Sequence, residues 1–184
     1  MDFGIAGTRA YLLDAASPLG AACAASLDAE GVTIADDPVG CDIVIAHATG
    51  DRRTRSVLAD DALAELRSGW EAVVDAVAAY RAALPAMVER GWGRFVWVGS
   101  SLAKSVNGDG DEIDAVATLG MLGLHKVITG EESPNNVTAN TVLRGGTVDD
   151  DEVAAAVAFF CSQGAGYLSG VTITVDGGVG SAVF

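Results

Sequence analysis

Gly93-Arg94-Phe95-Val96-Trp97-Val98-Gly99-Ser100-Ser101 is the stretch that decides how this chain folds. It is an apolar run of strand-forming residues that closes on a glycine and two hydroxyls, and it reads as a buried central strand of a sheet covered by helices. In an open α/β sheet the ligand crevice lies outside the carboxyl ends of the strands. Ser100 therefore stands where chemistry would be done. A serine hydroxyl alone is a poor acid or base, so the catalytic question passes to what lies within its hydrogen-bond reach.

Working outward, Ala10-Tyr11-Leu12-Leu13 reads as a first strand, and Leu19 to Glu30 as a first helix, rich in alanine and stopped by Gly31. Val32-Thr33-Ile34-Ala35 and Asp42-Ile43-Val44-Ile45-Ala46 read as the next two strands. The link between them, Asp36-Asp37-Pro38-Val39-Gly40-Cys41, is far shorter than the dozen or so residues that a crossover between parallel neighbours takes. These two strands are therefore expected on either side of the first. A long helix is expected from Trp70 to Glu89, a second over Asp114 to Gly130, a strand over Asn136 to Val142 and a helix over Glu152 to Ser162, with Asp149-Asp150-Asp151 suiting its positive end. The expectation is one domain over 1–184, a truncated, doubly wound parallel α/β sheet of about six strands with helices on both faces.

Composition narrows the function classes. Half of the 184 residues are hydrophobic, which argues against disorder, and the formal charge of −14 argues against nucleic acid and anionic membrane surfaces as partners, since both call for clustered Lys and Arg. Cys23, Cys41 and Cys161 lack metal-ligand spacing and read as reduced, buried thiols of a cytoplasmic protein. No metal site is expected. The loop Ser105 to Glu112 has an acidic look but not the ligand pattern of a calcium loop. Arg52, Arg53 and Arg55 read as a solvated loop, with a weakly supported phosphate site as the alternative. His47 ends a strand at the crevice, where a hydrogen-bonded structural role and a catalytic one are both open.

The run from Gly93 to Ser101 resembles the serine strand of the short-chain dehydrogenase/reductase family. The closing segment from Phe159 through Tyr167-Leu168-Ser169-Gly170 to Val175-Asp176-Gly177-Gly178 follows that family's pattern in residue type, and the resemblance extends over essentially the whole chain. It implies a Rossmann-like fold, a nicotinamide cofactor held at a glycine-rich turn, and a Tyr-x-x-x-Lys pair beside Ser100. Measured against those motifs, the chain departs at each functional position. Asp114 stands where the tyrosine belongs and Thr118 where the lysine belongs, and Tyr11, Tyr80 and Tyr167 are followed four residues later by Ala15, Leu84 and Val171. The turn Leu13-Asp14-Ala15-Ala16-Ser17-Pro18-Leu19-Gly20 keeps only its last glycine. Asp14 and Pro18 replace the other two, bringing a carboxylate toward the phosphate place and removing a backbone donor. A strand-helix unit of the adenine wall and the substrate lid after Gly145-Gly146 look deleted. The helix from Trp70 to Glu89 looks shorter than the family's by about a turn and a half, a loss taken to include the asparagine of the catalytic tetrad.

These departures fall on cofactor and proton-transfer positions while the sheet is kept. The expectation is a catalytically silent subunit with a structural or regulatory role, Ser100 a remnant and no cofactor bound. Its partner would be itself or an active relative, met through helices 70–89 and 114–130, whose apolar residues spread around most of each helix. Two alternatives stand beside it: an oxidoreductase using NAD or NADP with an atypical site built on Ser100 and His47 or Asp114, and a small-molecule binding module in the vacated crevice with Asp14, His47, Ser100 and Asp114 as its floor.

Overall fold

The computed structural model describes residues 2–47, 62–104, 112–145 and 148–180. The elements run β1 (Arg9–Leu12), α1 (Pro18–Ala29), β2 (Thr33–Ala35), β3 (Ile43–His47), α2 (Ala62–Arg90), β4 (Gly93–Ser100), α3 (Glu112–Glu132), β5 (Val137–Arg144), α4 (Asp150–Cys161) and β6 (Thr172–Val175). The six strands form one sheet in the order β2-β1-β3-β4-β5-β6, every pairing parallel. This is the expected doubly wound Rossmann-like architecture. The short link from Ala35 to Asp42 does carry the chain past β1, so that β2 and β3 flank it.

Alternation along the strands divides the core into two layers. Ala10, Leu12, Ile43, Ile45, Val96, Val98 and Val142 face α1 and α4, where Leu19, Cys23, Leu27, Val153, Val157 and Phe160 meet them. Val44, Ala46, Phe95, Trp97, Val137 and Ala139 face α2 and α3, against Val73, Ala76, Tyr80, Ala83, Met87, Ala117 and Met121. β4 is buried along its length down to Ser100, as its unbroken apolar run requires. At its amino end Arg94 is buried and donates to the carbonyls of Gly93 at 2.9 Å, Asn136 at 3.2 Å and Ser162 at 3.4 Å, its guanidinium lying over the Trp92 ring. Burial lowers its pKa, and those three carbonyls take the place of a carboxylate partner. That end of the sheet is structural. On the far side, Asn140 holds the approach to β6, donating to the Leu168 carbonyl at 2.7 Å and accepting from the Val171 N–H at 3.0 Å.

Helix α2 corrects the expectation drawn for it. It has 29 residues and begins at Ala62, eight residues before Trp70, so the turns thought to be missing are supplied by residues 62–69. No asparagine occurs anywhere between Ala62 and Arg90, so the longer helix does not supply that residue. The outer faces of α2 and α3 are also narrower than the sequence pattern suggested. Ala79 is buried, and a Cβ on Gly120 would come within 2.7 Å of the Trp70 ring, so neither residue is free surface. What is exposed is a stripe of Leu63, Trp70 and Val74 on α2 (65%, 42% and 64%) and Leu119 and Val127 on α3 (51% and 55%). A shallow groove of about 410 Å³ runs along α2 beside Leu63, Leu66, Trp70 and Val74. The arginines 52, 53 and 55 and the acidic loop 105–111 lie outside the described residues.

Candidate functional site

The crevice at the carboxyl ends of β1, β3 and β4 is built from the turn before α1, from His47, and from Ser100 with the facing turns of α3. Asp14 takes the left-handed conformation, φ 59°, which a short polar side chain tolerates better than most. The turn thus keeps the geometry that a glycine would give it, although the glycine is gone. Ser17 then caps α1: its Oγ accepts from the Gly20 N–H at 3.0 Å and donates to the Asp14 carbonyl at 2.9 Å. Pro18 follows at the first helical position, where its missing N–H costs nothing.

The same hydroxyl lies 3.1 Å from His47 Nε2. With its own proton given to Asp14, Ser17 Oγ acts there as an acceptor, which puts the imidazole proton on Nε2. His47, 6% exposed at the end of β3, is therefore a bonded side chain. The amino terminus of α1, the kind of place where backbone N–H groups hold a phosphate, is in this chain capped by Ser17, deprived of one donor by Pro18 and bordered by the Asp14 carboxylate.

Gly20, the surviving glycine, has a packing reason to survive. A Cβ at this position would lie 2.3 Å from the Asp14 carbonyl oxygen and 2.9 Å from the Ala15 Cα, both backbone atoms. The turn and the first turn of α1 are in contact through it.

Ser100 and Thr118 form the second half of the site. Thr118 is fully buried on α3, and its Oγ1 accepts from the Ser100 N–H at 3.1 Å. Its side chain fills the space over Gly99, where a Cβ would fall 2.3 Å from Thr118 Oγ1 and 2.7 Å from Trp97 Nε1. The Trp97 N–H is buried there without an acceptor, a mark of how tightly the space is closed. The Ser100 hydroxyl accepts from the Leu102 N–H at 3.2 Å and so caps the single turn Ser101–Ala103. Asp114 stands half-buried one turn before Thr118, on the same side of α3. At the end of β5, Arg144 pairs with the Asp150 carboxylate at 2.6 Å and donates to the Val148 carbonyl at 3.1 Å. Among the described residues no group of three or more His, Cys, Asp or Glu side chains is placed to hold a metal. The three cysteines are free and buried; burial raises the pKa of each, Cys23 to about 12, which leaves protonated thiols at neutral pH.

The sequence placed Asp14, Pro18, Gly20, His47, Ser100 and Thr118 at one end of the sheet, and the structure does the same. It missed the role of Ser17, although a serine before a proline at a helix start is a cap pattern that could have been read. It also missed the Arg144–Asp150 pair, and a buried Tyr80–His125–Thr141 chain for which the sequence carries no signal.

Comparison with known proteins shows what the chain is similar to. No protein-family model matches the chain. The curated relatives include the 3-oxoacyl-(acyl-carrier-protein) reductase FabG of Escherichia coli, 29% identical over 124 residues, which are 54% of this chain and 50% of that protein. They also include the 3-oxoacyl-(acyl-carrier-protein) reductase MabA of Mycobacterium bovis, 32% identical over 116 residues, 48% of this chain and 46% of the relative. A solved structure titled as a short chain dehydrogenase/reductase family protein superposes with a TM-score of 0.79 at 19% identity, covering 97% of this chain and 98% of that one. By these likenesses the chain is similar to short-chain dehydrogenase/reductase proteins and shares their fold. It spans about half the length of the curated relatives it matches. In this fold Thr118 and Asp114 lie on α3, which meets the Ser100 end of β4 through Thr118, and α1 begins just after the turn that follows β1.

Proposed function

We propose that this chain is a catalytically silent dehydrogenase-like subunit, with a structural or regulatory role in an oligomer formed with itself or with an active relative. The observation that carries the reading is Thr118. At the place of the family's lysine it offers no charge, is sealed from solvent, and spends its hydroxyl on the Ser100 N–H. A threonine there neither lowers a neighbour's pKa nor moves a proton at neutral pH. The closed amino terminus of α1 supports the same view for the cofactor: neither NAD nor NADP is expected to bind. The exposed stripe of Leu63, Trp70, Val74, Leu119 and Val127 supports assembly, because apolar surface of this kind on two adjacent helices marks a contact face. A cytoplasmic location goes with three free, buried thiols.

Two measurements test this. Calorimetric titration with NADH and NADPH should give no binding, and a dissociation constant in the low micromolar range for either would refute the silent reading. Sedimentation of the purified chain, alone and with whatever copurifies from its own host, should give an oligomer; a stable monomer at micromolar concentration with no partner would refute assembly. A second reading, a reductase using NAD or NADP with Ser100 and an unusual acid, is favoured by the curated relatives, which are named as reductases. It requires nucleotide binding and an activity that Ser100→Ala abolishes.

A further inference from the structure

The two helices that carry the outer stripe are joined from inside by a polar chain that the crevice does not use. Tyr80 Oη of α2 lies 3.3 Å from His125 Nε2 of α3, and His125 Nδ1 lies 3.1 Å from Thr141 Oγ1 of β5. All three residues are buried. Tyr80 is fixed in turn by stacking on Phe95 of β4, with ring centroids 4.3 Å apart. A neutral imidazole has one donor and one acceptor, so a single run of hydrogen bonds, in one direction or the other, satisfies both ring nitrogens. An imidazolium has two donors and no acceptor. Protonation would leave one of the two hydroxyls without its acceptor and place a charge among apolar groups.

The groups that face His125 are Tyr80 from α2, Thr141 from β5 and, behind Tyr80, Phe95 from β4. The adjacent Lys126 reaches away to the Gly170 carbonyl at 2.6 Å. Among the described residues no charged group compensates: burial is what holds the imidazole down, at about 3. Beside the apolar layer between α2 and α3, the Trp70 ring over Gly120 and the Tyr80–His125 bond further along tie the two helices that carry the outer stripe.

We propose that acid loosens the α2–α3 pair from within, and with it the assembly built on its outer face, with His125 as the group that takes the proton. The proposal rests on the oligomeric reading above. Its sign follows from linkage. The packed state holds His125 below its ordinary value of 6.5, so its advantage is complete above that pH and is lost as pH falls from about 6.5 toward 3. Between pH 7.5 and pH 5.0 a state that frees the imidazole gains about 30-fold on the packed one.

The experiment compares wild type with His125→Gln by sedimentation velocity and near-ultraviolet circular dichroism at pH 7.5 and 5.0. Wild type should weaken its association or its packing by about 30-fold over this interval, and the glutamine variant by several-fold less. Parallel losses in the two proteins would overturn the proposal, since they would belong to carboxylates. Should His125→Gln fail to fold, the His125 Cε1 proton resonance of wild type decides, assigned by comparison with His47→Gln. In the folded protein it should stay unprotonated down to pH 4.5, and a midpoint near 6.5 would overturn the proposal. If wild type sediments as a monomer at pH 7.5, the oligomeric reading fails, and the dichroism comparison still tests His125.

Discussion

Replacing Gly20 by alanine separates two explanations of why this glycine remains when the other two of its turn have gone. If it remained for a phosphate or by chance, alanine inside α1 should stabilise the helix by up to about 1 kcal/mol. The structure requires the opposite. The new methyl would lie 2.3 Å from the Asp14 carbonyl oxygen, so the turn would have to move by roughly 1 Å or more to restore an ordinary contact. That carbonyl accepts from the Ser17 N–H at 3.1 Å and from the Ser17 hydroxyl at 2.9 Å, so displacing it strains the cap and, through Ser17, the bond to His47.

Overpacking against backbone costs about 1–3 kcal/mol, and each weakened hydrogen bond adds about 1 kcal/mol. With one such bond weakened, and set against a propensity gain of about 1 kcal/mol, the net loss is about 1–3 kcal/mol. Urea unfolding of Gly20→Ala should show a lower midpoint at an unchanged slope. Gly130→Ala in α3 is the control, because a Cβ there meets nothing within 4 Å, and it should be neutral or stabilising by up to about 1 kcal/mol. A Gly20→Ala protein as stable as wild type would refute the packing account of the turn.

Other outcomes follow from the same geometry. Thr118→Val, which leaves the Ser100 N–H without its acceptor, should cost about 1–3 kcal/mol, whereas Ser100→Ala, which removes only the cap of a single turn, should cost about 1 kcal/mol or less; urea midpoints compare them, and the reverse order would refute the assignment of Thr118 as the structural anchor. Val74→Glu, on the exposed stripe, should dissociate the assembly and leave a folded chain by circular dichroism, while Ala79→Glu, buried beside it, should unfold the chain outright; an oligomer that survives Val74→Glu would move the interface elsewhere. Reverting Asp14 and Pro18 to glycine together should still give no calorimetric signal with NADH, since Ser17 continues to cap α1; restored binding would show that those two residues alone had closed the site.

What could be read from the sequence and what could not divide along a physical line. The strand order was legible because a link as short as Asp36 to Cys41 cannot carry a parallel crossover, so it leaves β2 and β3 little choice but to flank β1. The start of α2 was not: the helix is expected only from Trp70, just after Gly69, a weak helix former. The structure carries the helix through it, with Gly69 buried, at a propensity cost of only about 1 kcal/mol that burial of the helix offsets. Thr118 and Ser100 were placed by motif spacing alone, since the register of β4 and the 3.6-residue repeat of α3 fix where each can point. Pairs formed across the fold were invisible. Ser17 meets His47 from thirty residues away in sequence and Tyr80 meets His125 from forty-five, and no local pattern announces either.

The positions that changed also say why the fold tolerated the change. Each lost motif was replaced by a group that satisfies its own surroundings. Asp14 adopts the left-handed turn that a glycine would have given. Ser17 and Pro18 complete the start of α1, using or dispensing with N–H groups that a phosphate would otherwise have met. Thr118, shorter and uncharged, packs over Gly99 and takes up the Ser100 N–H. A vacated catalytic site left merely empty would hold buried polar groups without partners, each costing about 1–3 kcal/mol, and a domain of ordinary stability absorbs few of those. Under the proposed silent reading, selection on folding and assembly alone would leave such an arrangement, and reinstating a single catalytic residue in this crevice should lower stability before it restores any chemistry.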